Sequence, residues 1–126
     1  MRLSDVRLLV DDFNRARDFY RDVMQLEMRV EVPDTYAEFV SGGLTLGVYR
    51  RDLMAERVGE RWVGPAGGAV ACFEVDDADD VFVALVDRGA TPVREPQDEP
   101  TWSLRVAHIA DPDGHIIELD ERLPTT

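Results

Sequence analysis

The first apolar alternation lies at the start of the chain. Val6, Leu8 and Val10 recur with period two and leave Asp5, Arg7 and Leu9 on the other face, which predicts a strand over about residues 3–10. At Asp12 the period changes: an N-cap residue precedes Phe13, Ala16, Phe19 or Tyr20, and Val23 at helical spacing, predicting an amphipathic helix to about Met24. Three short strands follow near 27–32, 35–41 and 44–50, separated by Pro33-Asp34 and Ser41-Gly42-Gly43, both turn-forming combinations. The predicted order is βαβββ.

From Asp52 to Gly68 the periodicity dissolves into an Arg/Glu-rich connector with a helical turn at its start, ending in Gly64-Pro65-Ala66-Gly67-Gly68. Beyond it Ala71, Phe73 and Val75 alternate with Cys72 and Glu74, and Asp77 opens a second helical pattern of Ala78, Val81, Phe82 and Leu85, closed by Arg88-Gly89. Strand signals return at 91–94, 102–110 and 115–121, the last two joined by the tight turn Asp111-Pro112-Asp113-Gly114. Val10-Asp11-Asp12 is thus repeated as Val75-Asp76-Asp77 in the same place of the same element order, and Gly43 and Gly114 both precede a fourth strand. A module of this kind cannot bury its sheet face alone, so the two are expected to form one α+β domain over residues 1–126. Module 1 covers 3–51, the connector 52–68 and module 2 69–122, with helices outside.

Composition narrows the chemistry. With 126 residues, 44% hydrophobic and 32% charged, the chain is long enough for a core and unlike a disordered, collagenous or disulfide-built protein. Twenty-six acids against 14 bases give a formal charge of -12, which repels nucleic-acid phosphates and anionic lipid, so neither is expected as a partner. All the bases are arginine, which removes Schiff-base lysines and the P-loop lysine. Cys72 stands alone, excluding an intrachain disulfide and a Cys-x-x-Cys motif; with no apolar leader before Asp11, a cytoplasmic protein is expected. The serines Ser4, Ser41 and Ser103 lie in no nucleophile elbow, and the acids of residues 76–80 are explained by helix capping rather than calcium.

Three stretches carry a family resemblance: VRLLVDDFNRARDFYRDVMQLEM at 6–28, FEVDDADDVFVALVDRGATPV at 73–93 and RVAHIADPDGHIIELDE at 105–121. On these the chain resembles the vicinal oxygen chelate superfamily of glyoxalase I, bleomycin and fosfomycin resistance proteins and extradiol dioxygenases. The resemblance implies tandem βαβββ modules forming a U-shaped mixed sheet whose concave face surrounds a ligand and, in many members, a divalent metal. It also implies a homodimer. One departure is Gln25, where a glycine is common; a left-handed backbone is expected there. The family's four metal positions fall on Asp5, Leu46, Val70 and Glu118. Glu118 is a typical ligand, Asp5 stands where His or Gln is usual, and the aliphatic Leu46 and Val70 have no electron pair to donate. The resemblance therefore implies loss of the family metal, and no cofactor is expected.

The remaining candidates for ligand binding are Asp5, Arg7, Arg105, Glu118 and Asp120. Arg7 or Arg105 would clamp an oxyanion while an acid accepts a hydrogen bond or proton; the competing reading is an ion-pair set closing the sheet. Pairing across the Asp111–Gly114 turn puts Arg105 beside Asp120 and Ala107 beside Glu118, unless a bulge at Gly114 shifts the register by one. His115 is expected at the surface, and His108 either as a satisfied interior histidine or as a pocket donor. Tyr36, Phe39, Tyr49, Trp62 and Trp102 are candidate pocket walls or dimer contacts, with core packing as the alternative. The function expected is small-organic-molecule binding without the family metal. The rivals are an enzyme of lyase or dioxygenase type, using unusual metal ligands or metal-free acid–base chemistry, and a dimeric interaction module.

Overall fold

Alternation along β1 (Val6–Val10) is satisfied from both sides: Leu8 and Val10 are buried while Arg7 is exposed on the opposite face. The computed structural model describes residues 1–65 and 68–124, so the centre of the Gly-rich connector lies outside the described residues. The chain divides into two units, residues 1–66 and 67–126.

In the first unit, Asp12 caps α1 (Phe13–Asp18) by accepting from the Arg15 amide at 3.1 Å. The expected helix continues only by widening into a π-helical turn over Phe19–Val23, closed by the Met24 amide on the Phe19 carbonyl at 3.0 Å. The wider turn lets consecutive aromatics face inward together: Phe19 and Tyr20 are both buried, edge to face at 5.1 Å. Gln25 then leaves the helix at φ 57°, the left-handed backbone expected of it. The strands β2 (Glu27–Val32), β3 (Tyr36–Ser41) and β4 (Leu44–Arg50) complete a sheet ordered β1-β4-β3-β2, parallel between β1 and β4 and antiparallel elsewhere. One sheet face carries Leu8, Val10, Ala37, Phe39 and Val48, all buried, with Tyr20 6.0 Å from Phe39.

The connector is more ordered than its sequence suggests. A full helix, α2 (Arg51–Val58), and a 3-10 turn at Glu60–Trp62 occupy it. The helix buries none of its residues; Arg51 holds it, bonding Asp11 and the carbonyls of Leu9, Val63 and Gly64. Trp62 is exposed beneath the Arg61 guanidinium.

The second unit repeats the first. β5 (Val70–Glu74) leads to Asp77, which caps α3 (Ala78–Asp87) by accepting from the Asp80 amide at 3.0 Å. β6 (Thr91–Glu99), β7 (Leu104–Ala110) and β8 (Ile116–Arg122) then form a sheet ordered β5-β8-β7-β6. β6 runs five residues beyond its expected end, through Pro96; as an edge strand with two register shifts it tolerates the missing amides of Pro92 and Pro96. Ala107, Ile109, Ile117 and Leu119 are buried on the face parity of α3's Ala78, Phe82 and Leu85. The observed class is α+β, two mixed four-stranded sheets each carrying helices, in the element order expected.

Candidate functional site

Each sheet has one apolar face, so strand parity places the polar residues of alternate positions on the other, open face. In the first unit Arg7, Gly47, Tyr49, Tyr36 and Glu38 share that face through the registers Arg7↔Gly47, Glu38↔Gly47 and Tyr36↔Tyr49. Gly47 is required there: a Cβ would meet Arg7 Cγ at 2.9 Å and the Tyr36 ring at 3.0 Å. The arginine stem lies on this bare backbone, and its guanidinium sits 4.9 Å from the Tyr36 ring centre and 5.8 Å from that of Tyr49. Asp5 approaches Arg7 at 3.3 Å, and the Arg7 side chain remains 44% exposed. Beside it Tyr36 Oη donates to Glu38 Oε2 at 2.6 Å, and Arg29 donates to Glu38 Oε1 at 2.8 Å. Arg29 and the tyrosine hold the Glu38 carboxyl below its ordinary range, while burial and the facing Glu38 push the Tyr36 hydroxyl up to about 12.

The open face of the second sheet is built differently. Cys72, Glu118 and His108 stand in one row across three strands, with Asp120 two residues beyond Glu118. His108 Nε2 lies 2.9 Å from Glu118 Oε1, and Cys72 Sγ donates to Glu118 Oε2 at 3.6 Å. Burial opposes ionisation of Glu118, but hydrogen bonds from His108, Asp120 and Cys72 outweigh it and keep the carboxyl below its ordinary value. Asp120 goes the other way: burial first, then the neighbouring Glu118, push it up to about 6. Its Oδ1 is buried with no hydrogen-bond partner among the described residues. Burial and Glu118 also push the Cys72 thiol up to about 11.

Three expectations need correction. Arg105 does not face Asp120: the Asp111–Gly114 turn, with Gly114 at φ 90°, shifts the register by one, pairing Val106 with Asp120 and His108 with Glu118. Arg105 therefore falls on the helix side, clamped by Asp79 at 2.7 and 3.0 Å and by Asp98 at 2.9 Å. Leu46, carried over as a metal position, is on the helix-side parity with Val6 and Phe39; its open-face neighbour is Gly47, which offers no side-chain donor. His115 is buried rather than at the surface, its Nδ1 2.8 Å from Asp111 Oδ2, while Asp111 Oδ1 accepts the amides of Asp113 and His115. This pair locks the turn that sets the register. Of the alternatives for His108, the partly exposed open-face position is found; Phe39 is fully buried core, and Trp102 is exposed.

Thus Asp5 and Arg7 come together in one unit and Glu118 and Asp120 in the other. Cys72, which the sequence offers only as a lone thiol without a disulfide or Cys-x-x-Cys partner, is exposed on the open face, level with Glu118.

The comparisons agree with this scaffold. The family model of the Glyoxalase/Bleomycin resistance protein/Dioxygenase superfamily matches residues 2–119. The uncharacterized protein YraH of Bacillus subtilis (strain 168) is 36% identical over 128 residues, covering 98% of this chain and 100% of that protein. A glyoxalase-related enzyme from Fulvimarina pelagi superposes with a TM-score of 0.84 at 20% identity, covering 96% of this chain and 88% of that one. A lactoylglutathione lyase from Agrobacterium tumefaciens gives 0.76 at 25% identity, covering 95% and 92%. With its duplicated βαβββ units and a family match over nearly its whole length, the chain belongs to the Glyoxalase/Bleomycin resistance protein/Dioxygenase superfamily.

Proposed function

We propose that the protein binds a small organic molecule bearing a carboxylate or similar oxyanion, without a metal held at the four positions inherited from the family. Arg7 carries this reading. Its stem is packed on Gly47 and two tyrosine rings, so the guanidinium is held in place while still 44% exposed, a pre-ordered cation with hydrogen-bond capacity left for a ligand. Asp5, 3.3 Å from Arg7, supplies an acceptor on the same open face; Glu118 and Asp120 form a separate acceptor set on the open face of the second unit. Arg105, engaged by Asp79 and Asp98, is withdrawn from the ligand set. Against the inherited metal stand Val70 and, at the β4 position, either helix-side Leu46 or bare Gly47.

The test is a thermal-shift screen of carboxylate-bearing and aromatic metabolites, followed by calorimetry on the hits. Arg7→Ala should weaken a hit by about 10- to 100-fold, the worth of a hydrogen bond to a charged group, with little change in unfolding of the free protein. Equal affinity in wild type and Arg7→Ala would reject the reading.

A second reading, an enzyme using acid–base chemistry, draws on the Asp120 carboxyl, pushed up to about 6 beside an ionised Glu118. It requires turnover of a hit that Asp120→Asn abolishes. We also propose a cytoplasmic homodimer: each sheet ends in edge strands, β1 and β2 in one, β5 and β6 in the other, which a second copy can cover. Light scattering should then report about twice the 14.2 kDa chain mass. No helix among the described residues is long and apolar enough to cross a membrane.

A further inference from the structure

We propose that the open face of the second sheet is a metal site of its own, in which Cys72, Glu118 and Asp120 ligate a zinc-class divalent cation and His108 positions Glu118. The set lies wholly within one unit and shares only Glu118 with the four inherited positions; it does not depend on the small-molecule reading.

Four observations lead to it. The Cys72 Sγ and one oxygen each of Glu118 and Asp120 lie within 4.8 Å of one another; ligands of a tetrahedral zinc stand about 3.3–3.8 Å apart, so rotamer changes that draw the three side chains together would bring them onto one ion. Sulfur with carboxylate oxygen suits zinc and its neighbours and disfavours magnesium or calcium. The buried Asp120 Oδ1 lacks a hydrogen-bond partner, an unsatisfied acceptor that a cation would fill. None of Arg94, Arg105 and Arg122 is free to be that cation: Arg94 is bonded to Glu99 and Gln97, Arg105 to Asp79 and Asp98, and Arg122 to Glu74. His108, 2.9 Å from Glu118 Oε1, is the outer partner that orients a ligating carboxylate. A second acidic group, Asp77, Asp79 and Glu121, has no such vacancy, because the amides of Asp80 and Ala78 and the Arg105 guanidinium already occupy it. With three protein ligands, a tetrahedral ion keeps one position open for an oxygen of a bound molecule.

Cobalt(II) chloride titrated into chelator-stripped protein is the direct test, because thiolate ligation produces a sulfur-to-cobalt charge-transfer band in the near ultraviolet. One cobalt per chain is expected, with the band displaced by zinc and absent in Cys72→Ser, a conservative change at an exposed side chain. Asp120→Asn should abolish tight binding. His108→Ala should weaken it by about 10- to 100-fold while keeping the band, as a positioning residue does. Asp5→Asn should leave the cobalt titration as in wild type. Cobalt binding without the band, equal binding in Cys72→Ser and Asp120→Asn, or no binding would each overturn the proposal. Loss of binding in Asp5→Asn would instead restore the inherited positions and overturn both this proposal and the metal-free reading. Metal-free unfolding curves of each variant separate lost ligation from lost folding, and Arg7-dependent affinity for a screened hit reports on the small-molecule reading independently.

Discussion

Matched through their strand registers, the two units place different residues at the same points of the same scaffold. Arg7 corresponds to Cys72, Gly47 to Glu118, Glu38 to His108 and Tyr49 to Asp120. The first face balances its charges internally: Arg29 neutralises Glu38, Asp5 approaches Arg7, and glycine leaves room for the arginine stem. The second sets two carboxylates against a thiol and an imidazole, and burial together with Glu118 pushes the Asp120 carboxyl up to about 6. The helix-side faces show no such divergence. Their buried centres are aliphatic and aromatic, because a polar residue there would lose water without gaining a partner; Arg105, also on the helix side, is partly exposed and held by Asp79 and Asp98. Duplication therefore preserved what the core needs and left the open faces free to differ.

The largest effects should fall where the units agree. Phe39→Ala and Leu119→Ala, one fully buried side chain from each apolar face, should each cost about 2–5 kcal/mol in urea unfolding. A loss from only one of them would show that the units do not unfold together. Next comes the point of sharpest difference: Gly47→Ala crowds Arg7 and Tyr36 and should cost about 1–3 kcal/mol, with the Tyr36 fluorescence environment altered. A neutral result would mean that the arginine stem moves aside freely.

Acid titration of the metal-free protein should separate the faces by sign. The Asp120 value is raised from 3.8 to about 6, so the stability of its protonated form is fully present below about 3.8 and is lost as pH rises through about 6. Asp120→Asn should then gain roughly 1–3 kcal/mol over wild type at pH 7 and little at pH 3.5. Glu38, held low by Arg29, acts oppositely: its contribution is present above its ordinary value and lost as pH falls through the lowered one. Glu38→Gln should therefore destabilise at pH 7 and be closest to wild type in acid.

Smaller still, Asp12→Ala and Asp77→Ala should each cost about 1 kcal/mol, since the two caps make the same bond at 3.1 and 3.0 Å. Unequal costs would locate a difference in helix docking. Least of all, Arg122→Ala removes a pair with Glu74 whose side chains are 82% and 74% exposed, and its thermal midpoint should match wild type within error.

Much of this was legible along the chain because strand parity, capping and tight turns are local properties. The alternation of Val6, Leu8 and Val10 assigned Arg7 to the open face, Asp12 and Asp77 marked both helix starts, and the left-handed Gln25 followed from the turn it had to make. What faces what across strands is a different matter. One extra residue in the Asp111–Gly114 turn moves every lateral neighbour to the other side, so that turn, locked by the buried Asp111–His115 pair, brought His108 to Glu118 and sent Arg105 to α3. Nor could periodicity reveal α2, which buries no residue and is held by one arginine reaching the carbonyls of Leu9, Val63 and Gly64. The sequence by itself determined the strands, the two capped helices and the apolar parity of β1 and β5, since these follow from backbone geometry over a few residues. Only the tertiary structure decided which residues meet, because lateral register and burial depend on segments far apart in the chain.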